Sequence, residues 1–451
     1  MGEVAPRSGV GGGGAASPPH PSRALRDPPS PQGGGRGIAP LKVYVIGAGL
    51  AGLAAATSLA ARGAEVVLIE ASAQAGGRCR SYLDPVLEMT LDNGNHLVLS
   101  GNNAVFAYLR RIGAEDRMAG PADARLDFHD LQARARWTIR PNAGAIPWWL
   151  MRPGRRVPGT RTADYLALGK LLLPRRDRPV SDVIASRGPL WDRLIEPFLL
   201  AALNTDARDG SSALAGSVIR QSLARGGKAY RPRIATPTLA AALVDPALAF
   251  LAARGASVRL QTPVRSIAFE KKRVTGLTTG DGEIAVTPGE AVILAAPPWI
   301  AETLVPGLVA PNRFNAIVNG HFKFTPPKGL APIVGLIGGT AQWVFAFEDR
   351  ISVTVSAADG LADQDREALA RALWRDVAEA HALPADLPPW RIVKERRATF
   401  AATPDQNARR PGARTRWRNL ALAGDWTATG LPATIEGAVR SGETAARVVG
   451  G

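Results

Sequence analysis

Apolar residues first follow a regular pattern just after residue 40, where they predict a strand, a helix and a second strand. Residues 43–46 form a short apolar run of the kind found in buried parallel strands. Residues 50–61 are rich in Ala and Leu, as a buried helix would be, and residues 65–69 form a second apolar run. This order is a βαβ unit, in which a helix connects two parallel strands.

The pattern changes several times farther along the chain. Residues 99–255 are mostly helical in pattern, with loops rich in Pro and Arg between the helices. Residues 256–304 alternate as strands do. Residues 305–400 predict several strands, then a helix over residues 364–380 and a last strand over residues 391–400.

Residues 1–38 show no hydrophobic period at all. They consist largely of Gly, Pro and Ser and lack the apolar segment of a signal peptide. Such a composition cannot bury enough surface to offset the entropy of ordering, so we predict a disordered extension. Elsewhere no run of about 18 apolar residues occurs, and we predict no membrane span.

Length and charge narrow the class of protein. A single hydrophobic core stops growing at roughly 250–300 residues, so 451 residues favour two domains. The formal charge of +16 is spread along the chain without an aromatic-basic motif, which favours a generally basic surface over a nucleic-acid site. A third interpretation is that the basic surface is attracted to anionic lipid headgroups. Cys79 is the one cysteine, so no intrachain disulfide forms, and a cytoplasmic location is favoured.

The turn between the first strand and the helix carries a dinucleotide-binding motif. Gly47, Gly49 and Gly52 form G-x-G-x-x-G, in which the glycines permit a tight turn, close approach of a pyrophosphate, and helix–strand packing. The helix then begins with Leu50 and Ala51, whose main-chain N–H groups face the phosphates. The context of a strand before and a helix after makes the motif specific.

Two further features follow the second strand. Glu70 ends that strand, where a carboxylate accepts hydrogen bonds from a ribose and repels a 2′-phosphate, so NADP is disfavoured. Gly76, Gly77 and Arg78 come six residues later. A plain NAD-binding fold does not need the pair Gly76 and Gly77, which permits a ligand to approach the backbone closely. Arg78 can bind a phosphate. An ordinary turn is the alternative.

The C-terminal segment adds a second strand-turn-helix that favours FAD. An apolar strand over residues 420–423 precedes Gly424 and Asp425, and a helix begins near Pro432. The aspartate is a candidate acceptor for the ribitol hydroxyls. The positive end of the helix dipole suits the flavin edge that becomes negative on reduction. The candidate contacts at the helix start are Ile435, Glu436 and Ala438.

These motifs together resemble one family. The stretches GAGLAGL, GGR and GDWTATGLPATIEGAVRSG, with Glu70 between the first two, resemble the FAD-containing amine oxidase and phytoene desaturase superfamily. Within it, DNGNHLVLSGN, EPFLLAALNTDARDGSSALA and NAIVNGHFKF are similar to the hydroxysqualene dehydroxylases. The resemblance covers about residues 40–450.

The resemblance implies an α/β fold with two domains. The first is a Rossmann-like FAD-binding domain of the amine oxidase/glutathione reductase type, and the second is an inserted α+β substrate domain of a sheet and helices. The FAD-binding domain takes residues 39–98, 256–304 and 414–451, and the substrate-binding domain takes residues 99–255 and 305–413.

The resemblance also implies which residues surround the ring of the flavin. The segment after GGR contains Asn93, Gly94, Asn95 and His96, and in the superfamily this segment lines the isoalloxazine pocket. Val264 falls where the superfamily packs against adenine. The alternative is an ordinary loop before a strand, with a structural histidine.

The implied activity is reductive dehydroxylation of hydroxysqualene to squalene in hopanoid biosynthesis, with FAD bound non-covalently and no metal. Departure of the hydroxyl needs a proton donor, and His96 is the first candidate. A water held by Asn204 or Asn95 is the second, and a helix C-cap is the alternative role of Asn204. The substrate would be a long apolar isoprenoid. The electron donor is either NAD(P)H or a separate reductase.

Three rival functions stay open. A carotenoid or phytoene-type desaturase would run the flavin in the oxidative direction, and a flavin-bearing scaffold without catalysis would bind FAD alone. An amine oxidase-like flavoenzyme usually carries a lysine on a strand beside the flavin, and aligning NGHFKF puts Asn319 there. That replacement argues against an oxidase.

One apolar loop suggests a peripheral contact with the inner membrane. Pro147, Trp148, Trp149, Leu150 and Met151 lie between several arginines. Tryptophans at headgroup depth beside arginines are typical of an interfacial anchor. Packing of the loop into the core is the alternative.

Overall fold

A computed structural model describes residues 40–173 and 176–450, and the prediction for residues 1–38 lies outside the described residues. Twelve α-helices are present in the described part: α1 Leu50–Ala60, α2 Asn103–Ile112, α3 Leu166–Leu172, α4 Glu196–Leu203, α5 Ser212–Gln221, α6 Leu239–Leu243, α7 Asp245–Ala252, α8 Pro298–Leu304, α9 Asp359–Ala362, α10 Arg366–His381, α11 Pro404–Ala408 and α12 Ile435–Gly450.

The strands of the same residues are β1 Lys42–Ile46, β2 Glu65–Ile69, β3 Ser81–Asp84, β4 Met89–Asp92, β5 Val98–Leu99, β6 Met118–Ala119, β7 Leu126–Asp130, β8 Ala135–Ile139, β9 Pro232–Ala235, β10 Ser257–Arg259, β11 Val264–Glu270, β12 Arg273–Thr279, β13 Gly282–Ala285, β14 Ala291–Leu294, β15 Phe314–Lys323, β16 Ile333–Ile337, β17 Trp343–Ala346, β18 Arg350–Val355, β19 Trp390–Phe400 and β20 Leu420–Leu422.

A five-stranded parallel sheet, in the order β10-β2-β1-β14-β20, forms the first layer. Its central strands read as continuous apolar runs because both faces are covered. The chain leaves β1 for β2 on one side, while β14 pairs with β1 on the other. The carboxyl end of β1 is therefore the point where strand order reverses, and ligands bind in the crevice at such points.

The last helix packs across the first one. A Cβ atom added to Gly442 of α12 would lie 2.1 Å from the carbonyl oxygen of Ala51 in α1, so the two backbones meet where only glycine fits. Glu443 of α12 accepts hydrogen bonds from Ser58 and Arg111 on either side of this crossing. The C-terminal segment is thereby held against the first βαβ unit.

A seven-stranded mixed sheet, in the order β19-β15-β18-β17-β16-β7-β8, forms the second layer. Helix α10 covers one of its faces, where Trp374 packs on Phe322 of β15 at 5.2 Å between ring centroids. The strands predicted within residues 305–400, the helix near 364–380 and the strand near 391–400 are confirmed.

The prediction that residues 99–255 are mostly helical is incomplete. Strands β7 and β8 lie in this segment and extend the large sheet, β7 pairing with β16 in parallel. Leu126 and Phe128 are buried and alternate with Asp127, which is the period of a strand. A segment of five residues is too short for that period to stand out beside the helical pattern around it.

No helix within residues 40–173 and 176–450 is long and apolar enough to cross a bilayer.

Candidate functional site

The glycine turn at the carboxyl end of β1 is built as the motif requires. Gly47 has φ of +104°, and a Cβ there would lie 2.7 Å from the carbonyl oxygen of Ala295. A Cβ on Gly52 would lie 1.8 Å from the Gly47 oxygen, so this glycine lets α1 pack on the turn. A Cβ on Gly49 would meet nothing within 4 Å. Packing demands the first and third glycines, while the second faces open space.

Helix α1 begins beside that open space with uncapped N–H groups. The first turn has no side-chain cap and no acidic residue, and the N–H groups of Leu50 and Ala51 have no acceptor among the described residues. Unpaired N–H groups and the positive end of the dipole make such a helix start a phosphate site.

Glu70 is fixed at the end of β2 by its neighbours. One carboxylate oxygen accepts the N–H of Ala48 at 2.7 Å, and the other accepts the N–H and hydroxyl of Ser72 at 2.9 and 2.7 Å. A carboxylate has about four lone-pair positions, so capacity for a ribose hydroxyl is left. The N–H of Thr262 binds the Glu70 carbonyl oxygen, which brings half-buried Val264 to the same end of the sheet.

Gly76 and Gly77 lie against the glycine turn that follows β1. Gly76 donates its N–H to the carbonyl oxygen of Ala48 at 2.8 Å, and a Cβ on Gly77 would lie 3.3 Å from the Cα of Gly49. Both glycines have positive φ, at +107° and +55°. Cys79 follows in the same turn, and burial raises the pKa of its thiol to about 12.

Arg78 contacts the C-terminal segment. Its Nη2 lies 2.6 Å from Oδ2 of Asp425, and its Nη1 also donates to the carbonyl oxygen of Ala398. Gly424 donates its N–H to the hydroxyl of Ser441 in α12 at 2.8 Å. The arginine assigned to a phosphate and the aspartate assigned to the ribitol are thus partners of each other, and their assigned contacts with FAD stay predictions.

Arg410 supports this segment and was missed from the sequence. Its buried guanidinium donates to the carbonyl oxygen of Asp425 at 3.1 Å and to the hydroxyl of Thr429 at 2.9 Å. Burial lowers its pKa to about 10, so it is charged at pH 7. Among 55 basic residues, nothing local distinguishes an arginine that turns inward.

The start of α12 combines free N–H groups with a structural carboxylate. The N–H groups of Ile435 and Glu436 have no acceptor among the described residues, while that of Ala438 binds the Thr434 carbonyl oxygen. The buried Glu436 carboxylate accepts the N–H groups of Ala104 and Val105 at the start of α2, at 3.2 and 3.0 Å. Its side chain therefore caps a neighbouring helix, and only its main-chain N–H is left for the predicted flavin contact.

The loop after β4 rests on the large sheet. The side chain of Asn319 in β15 lies 3.1 Å from where a Cβ of Gly94 would be, and its oxygen accepts the N–H of Asn95 at 3.4 Å. The amide of Asn95 donates to Thr354 at 3.1 Å. The Asn93 amide lies 3.4 Å from Glu395. Asn319, which the sequence alignment placed at the position of the oxidase lysine, thus supports the loop predicted to line the flavin.

His96 is half-buried at the end of the same loop. Burial, together with the nearby charge of Arg78, lowers the pKa of its imidazole to about 4. The main-chain carbonyl of Arg78 and the carboxylate of Asp425 oppose this shift. The imidazole is neutral at pH 7 in this environment and lies next to the Arg78–Asp425 pair.

Asn204 lies at the end of α4 and is fully engaged by the protein. Asn204 has a φ of +48°, as expected for a residue that caps the C-terminus of a helix. Its amide nitrogen donates to Asn315 and Thr399, and its oxygen accepts the N–H of Ala357 at 2.6 Å. These bonds use both amide hydrogens, so the contacts favour a structural role, and a substrate contact stays a prediction.

The donor set suits a dinucleotide. Two helix starts with free N–H groups, a carboxylate at the end of β2, and a glycine turn that leaves space above it converge at one end of the parallel sheet. No cluster of metal-ligating residues occurs within the described ranges.

Comparison with known proteins agrees with this geometry. The profile of the family described as flavin containing amine oxidoreductase matches residues 50–450. The hydroxysqualene dehydroxylase of Sinorhizobium fredii is 51% identical over 90% of this chain and 98% of its own length. The protein of that name from Rhodopseudomonas palustris is 53% identical over the same shares.

A solved structure shares the fold. The putative protoporphyrinogen oxidase from Exiguobacterium superposes with a TM-score of 0.66 at 17% identity, covering 91% of this chain and 99% of that one. At that identity the likeness concerns the fold alone.

Proposed function

Because this chain belongs to the flavin-containing amine oxidoreductase family, and within it to the hydroxysqualene dehydroxylases, we propose that it converts hydroxysqualene to squalene by reductive dehydroxylation. The observation that carries the proposal is the identity of 51% and 53%, over 90% of the chain, to two proteins of that name. The chain is a flavin-dependent oxidoreductase. The substrate and the direction of the reaction are the proposed part.

We propose FAD as the flavin, held without a covalent bond. The glycine turn and the start of α1 would hold the pyrophosphate, Glu70 the ribose, and the start of α12 the ring edge. Cys79, the single cysteine, is buried with a pKa of about 12. It is thus a thiol at pH 7, unsuited to attack a flavin.

When bound in its reduced form, the flavin supplies a hydride to the carbon that loses the hydroxyl group. The residues of the chain must supply a proton to that hydroxyl, which then leaves as water. We assign the proton to His96 through its imidazolium form. Asn95 would orient the hydroxyl or a water beside it.

The low pKa of His96 limits the fraction of the imidazole that can donate a proton at pH 7. At pH 7 only about one imidazole in a thousand is protonated when the pKa is about 4. Negative charge placed beside the ring raises a histidine pKa. Burial is the main cause of the low pKa, Arg78 lowers the pKa further and Asp425 raises it, so the pair modulates the proton affinity of His96.

We further propose a long apolar isoprenoid as the substrate class and the cytoplasm as the compartment, with a peripheral contact at the inner membrane. The single cysteine suits a reducing compartment. The electron donor would be NAD(P)H or a separate reductase.

The test is an anaerobic single turnover. The purified holoprotein is reduced with dithionite, the excess reductant is removed, and the protein is then mixed with hydroxysqualene. We expect squalene in an amount equal to the flavin that is reoxidised. Oxidised holoprotein given phytoene is the matched reaction for a desaturase. The proposal would be overturned if phytoene were desaturated while hydroxysqualene gave no squalene. A flavin that reacts with neither hydroxysqualene nor phytoene would indicate another substrate.

A further inference from the structure

A cavity lies away from the residues predicted to bind the cofactor. It has a volume of about 630 Å³, is open to solvent on one side, and is lined by residues 122–125 and 140–143, by Trp148 and Arg155, and by residues in 227–231. None of the predicted FAD contacts lines it. The reaction proposed above gives this cavity no role, and the membrane contact proposed with it names no headgroup site.

The wall of this cavity is strongly basic. Its charged lining residues are Asp123, Arg125, Arg140, Arg155, Lys228 and Arg231. Arg125 is neutralised by a two-bond contact with Asp127. Four cations against one carboxylate are left on the wall.

These cations have few partners in the protein. The side chains of Arg140 and Lys228 make no hydrogen bond or ion pair within the described ranges, and both are exposed. Arg231 donates through Nη1 to the carbonyl oxygen of Ala122 at 3.3 Å, but its buried Nε has no partner among the described residues. Burial lowers the pKa of neighbouring Arg233, and the positive charge of Arg231 lowers it further. The cavity therefore holds positive charge that the described residues do not balance.

An apolar rim adjoins the cavity. Trp148 lines it and is 44% exposed, with the guanidinium groups of Arg152 and Arg155 at 5.1 and 5.2 Å from the ring. Ile146 and Met151 on the same loop are 79% and 74% exposed.

The neighbouring tryptophan holds this loop in place. Trp149 is buried and makes an edge contact with Tyr165 at 5.7 Å. The two tryptophans thus have different surroundings: one anchors the loop in the core, and the other faces outward beside arginines. Large exposed apolar side chains next to unbalanced cations are typical of surfaces that meet a bilayer.

We propose that this face binds an anionic phospholipid bilayer, with a phosphate headgroup in the basic cavity and Ile146, Trp148 and Met151 in the acyl layer. The charge complementarity selects an anionic lipid, because cations near a negative membrane surface are attracted within a Debye length. The apolar rim selects a lipid over a free anion or a nucleic acid, since neither offers a partner to Met151 or Ile146. This binding needs no substrate turnover, so it stands independently of the proposed reaction.

The test is flotation of the full-length holoprotein with vesicles. Equimolar phosphatidylcholine and phosphatidylglycerol should bind the wild type, and pure phosphatidylcholine should bind it weakly. The double variant R140A/K228A should bind the anionic vesicles about thirtyfold less well, or about 2 kcal/mol, since each basic residue near such a surface contributes about 1 kcal/mol. Its control is K328A/R366A, which removes two exposed cations from other elements and should bind as the wild type does.

A second variant and a free anion separate the remaining outcomes. W148S should also lose affinity for anionic vesicles, whereas L83S, at an exposed leucine elsewhere, should not. Inorganic phosphate, at an ionic strength matched with chloride, should not displace the protein from vesicles. Equal binding by R140A/K228A and K328A/R366A would overturn the proposal. Selective displacement by phosphate would instead make the cavity a site for a soluble anion.

Discussion

The guanidinium of Arg78 and the carboxylate of Asp425 lie 2.6 Å apart, although 347 residues separate them in the chain. Asp425 is almost fully buried, whereas the Arg78 side chain is 41% exposed. The pair joins the second glycine turn to the strand-turn-helix at the C-terminus, and His96 lies beside it. It therefore couples the geometry of the cofactor site to the charge near the candidate proton donor.

Removing the charge of Asp425 should weaken both the fold and the flavin site. We expect D425N to lower the free energy of unfolding by about 1–2 kcal/mol, less than for a fully buried pair because Arg78 is partly exposed. Flavin should also dissociate more readily, which the rise of flavin fluorescence on dilution measures. The control is R371A, which breaks an exposed pair within α10 and should change stability by less than about 0.5 kcal/mol. Equal effects in both variants would show that the pair has no special role.

The crossing of α1 and α12 should be intolerant of a single methyl group. In G442A the new Cβ would overlap the Ala51 carbonyl oxygen, so the helices must separate, at a cost of about 1–3 kcal/mol. Because Ala51 belongs to the first turn of α1, flavin affinity should fall as well. G169A in α3, where a Cβ meets nothing within 4 Å, should instead stabilise by about 0.5–1 kcal/mol. Urea unfolding and flavin titration of the two variants decide the matter.

The proton role of His96 predicts a pH dependence of activity. A donor that must be an imidazolium, with a pKa of about 4, becomes roughly tenfold more abundant for each unit by which pH falls toward that value. Dehydroxylation should therefore accelerate from pH 8 to pH 6. H96N should be slower at pH 7 by about 10²–10⁴-fold and lose this slope. H381N, at a histidine of similar pKa on α10, should keep the slope. A wild-type rate that is flat with pH would transfer the role to a water molecule.

His321 predicts a pH dependence of stability. It lies fully buried in β15, with Nδ1 on the Ser352 hydroxyl, and burial, aided by Arg350, lowers its pKa to about 3. Between the unfolded pKa of about 6.5 and this value, the unfolded chain binds a proton that the folded chain does not. The stability contributed is complete above pH 6.5 and is lost as pH falls. From pH 6.5 to 5 the wild type should lose about 2 kcal/mol more than H321N in urea unfolding. Parallel losses would mean that His321 titrates normally.

The cofactor half of the fold was predictable because its signals are local. Strands β1 and β2 and helix α1 lie within one residue of their predicted ends, since an apolar run, three glycines and an Ala-rich helix follow each other without interruption. The last helix begins at Ile435 rather than near Pro432, because the intervening residues form a turn.

Long-range partners were beyond the sequence. Strand β7 pairs locally with β8, but its place in the large sheet depends on β16, which lies about two hundred residues later. Glu436 was predicted as a cofactor contact, but its carboxylate instead caps the start of α2. Arg410 and the Arg78–Asp425 pair depend likewise on segments that meet only in the folded chain. Periodicity carries no information about such meetings.

The position of β1 also constrains how the protein is made. On the ribosome β1, α1 and β2 are made before β14 and β20, which complete their sheet, and before α12, which covers α1. Until these later segments have emerged, the open edge of β1 and the uncovered side of α1 are exposed to other chains. A chain cut before residue 420 should therefore aggregate and bind no flavin, and nascent chains should depend on chaperones until α12 has emerged.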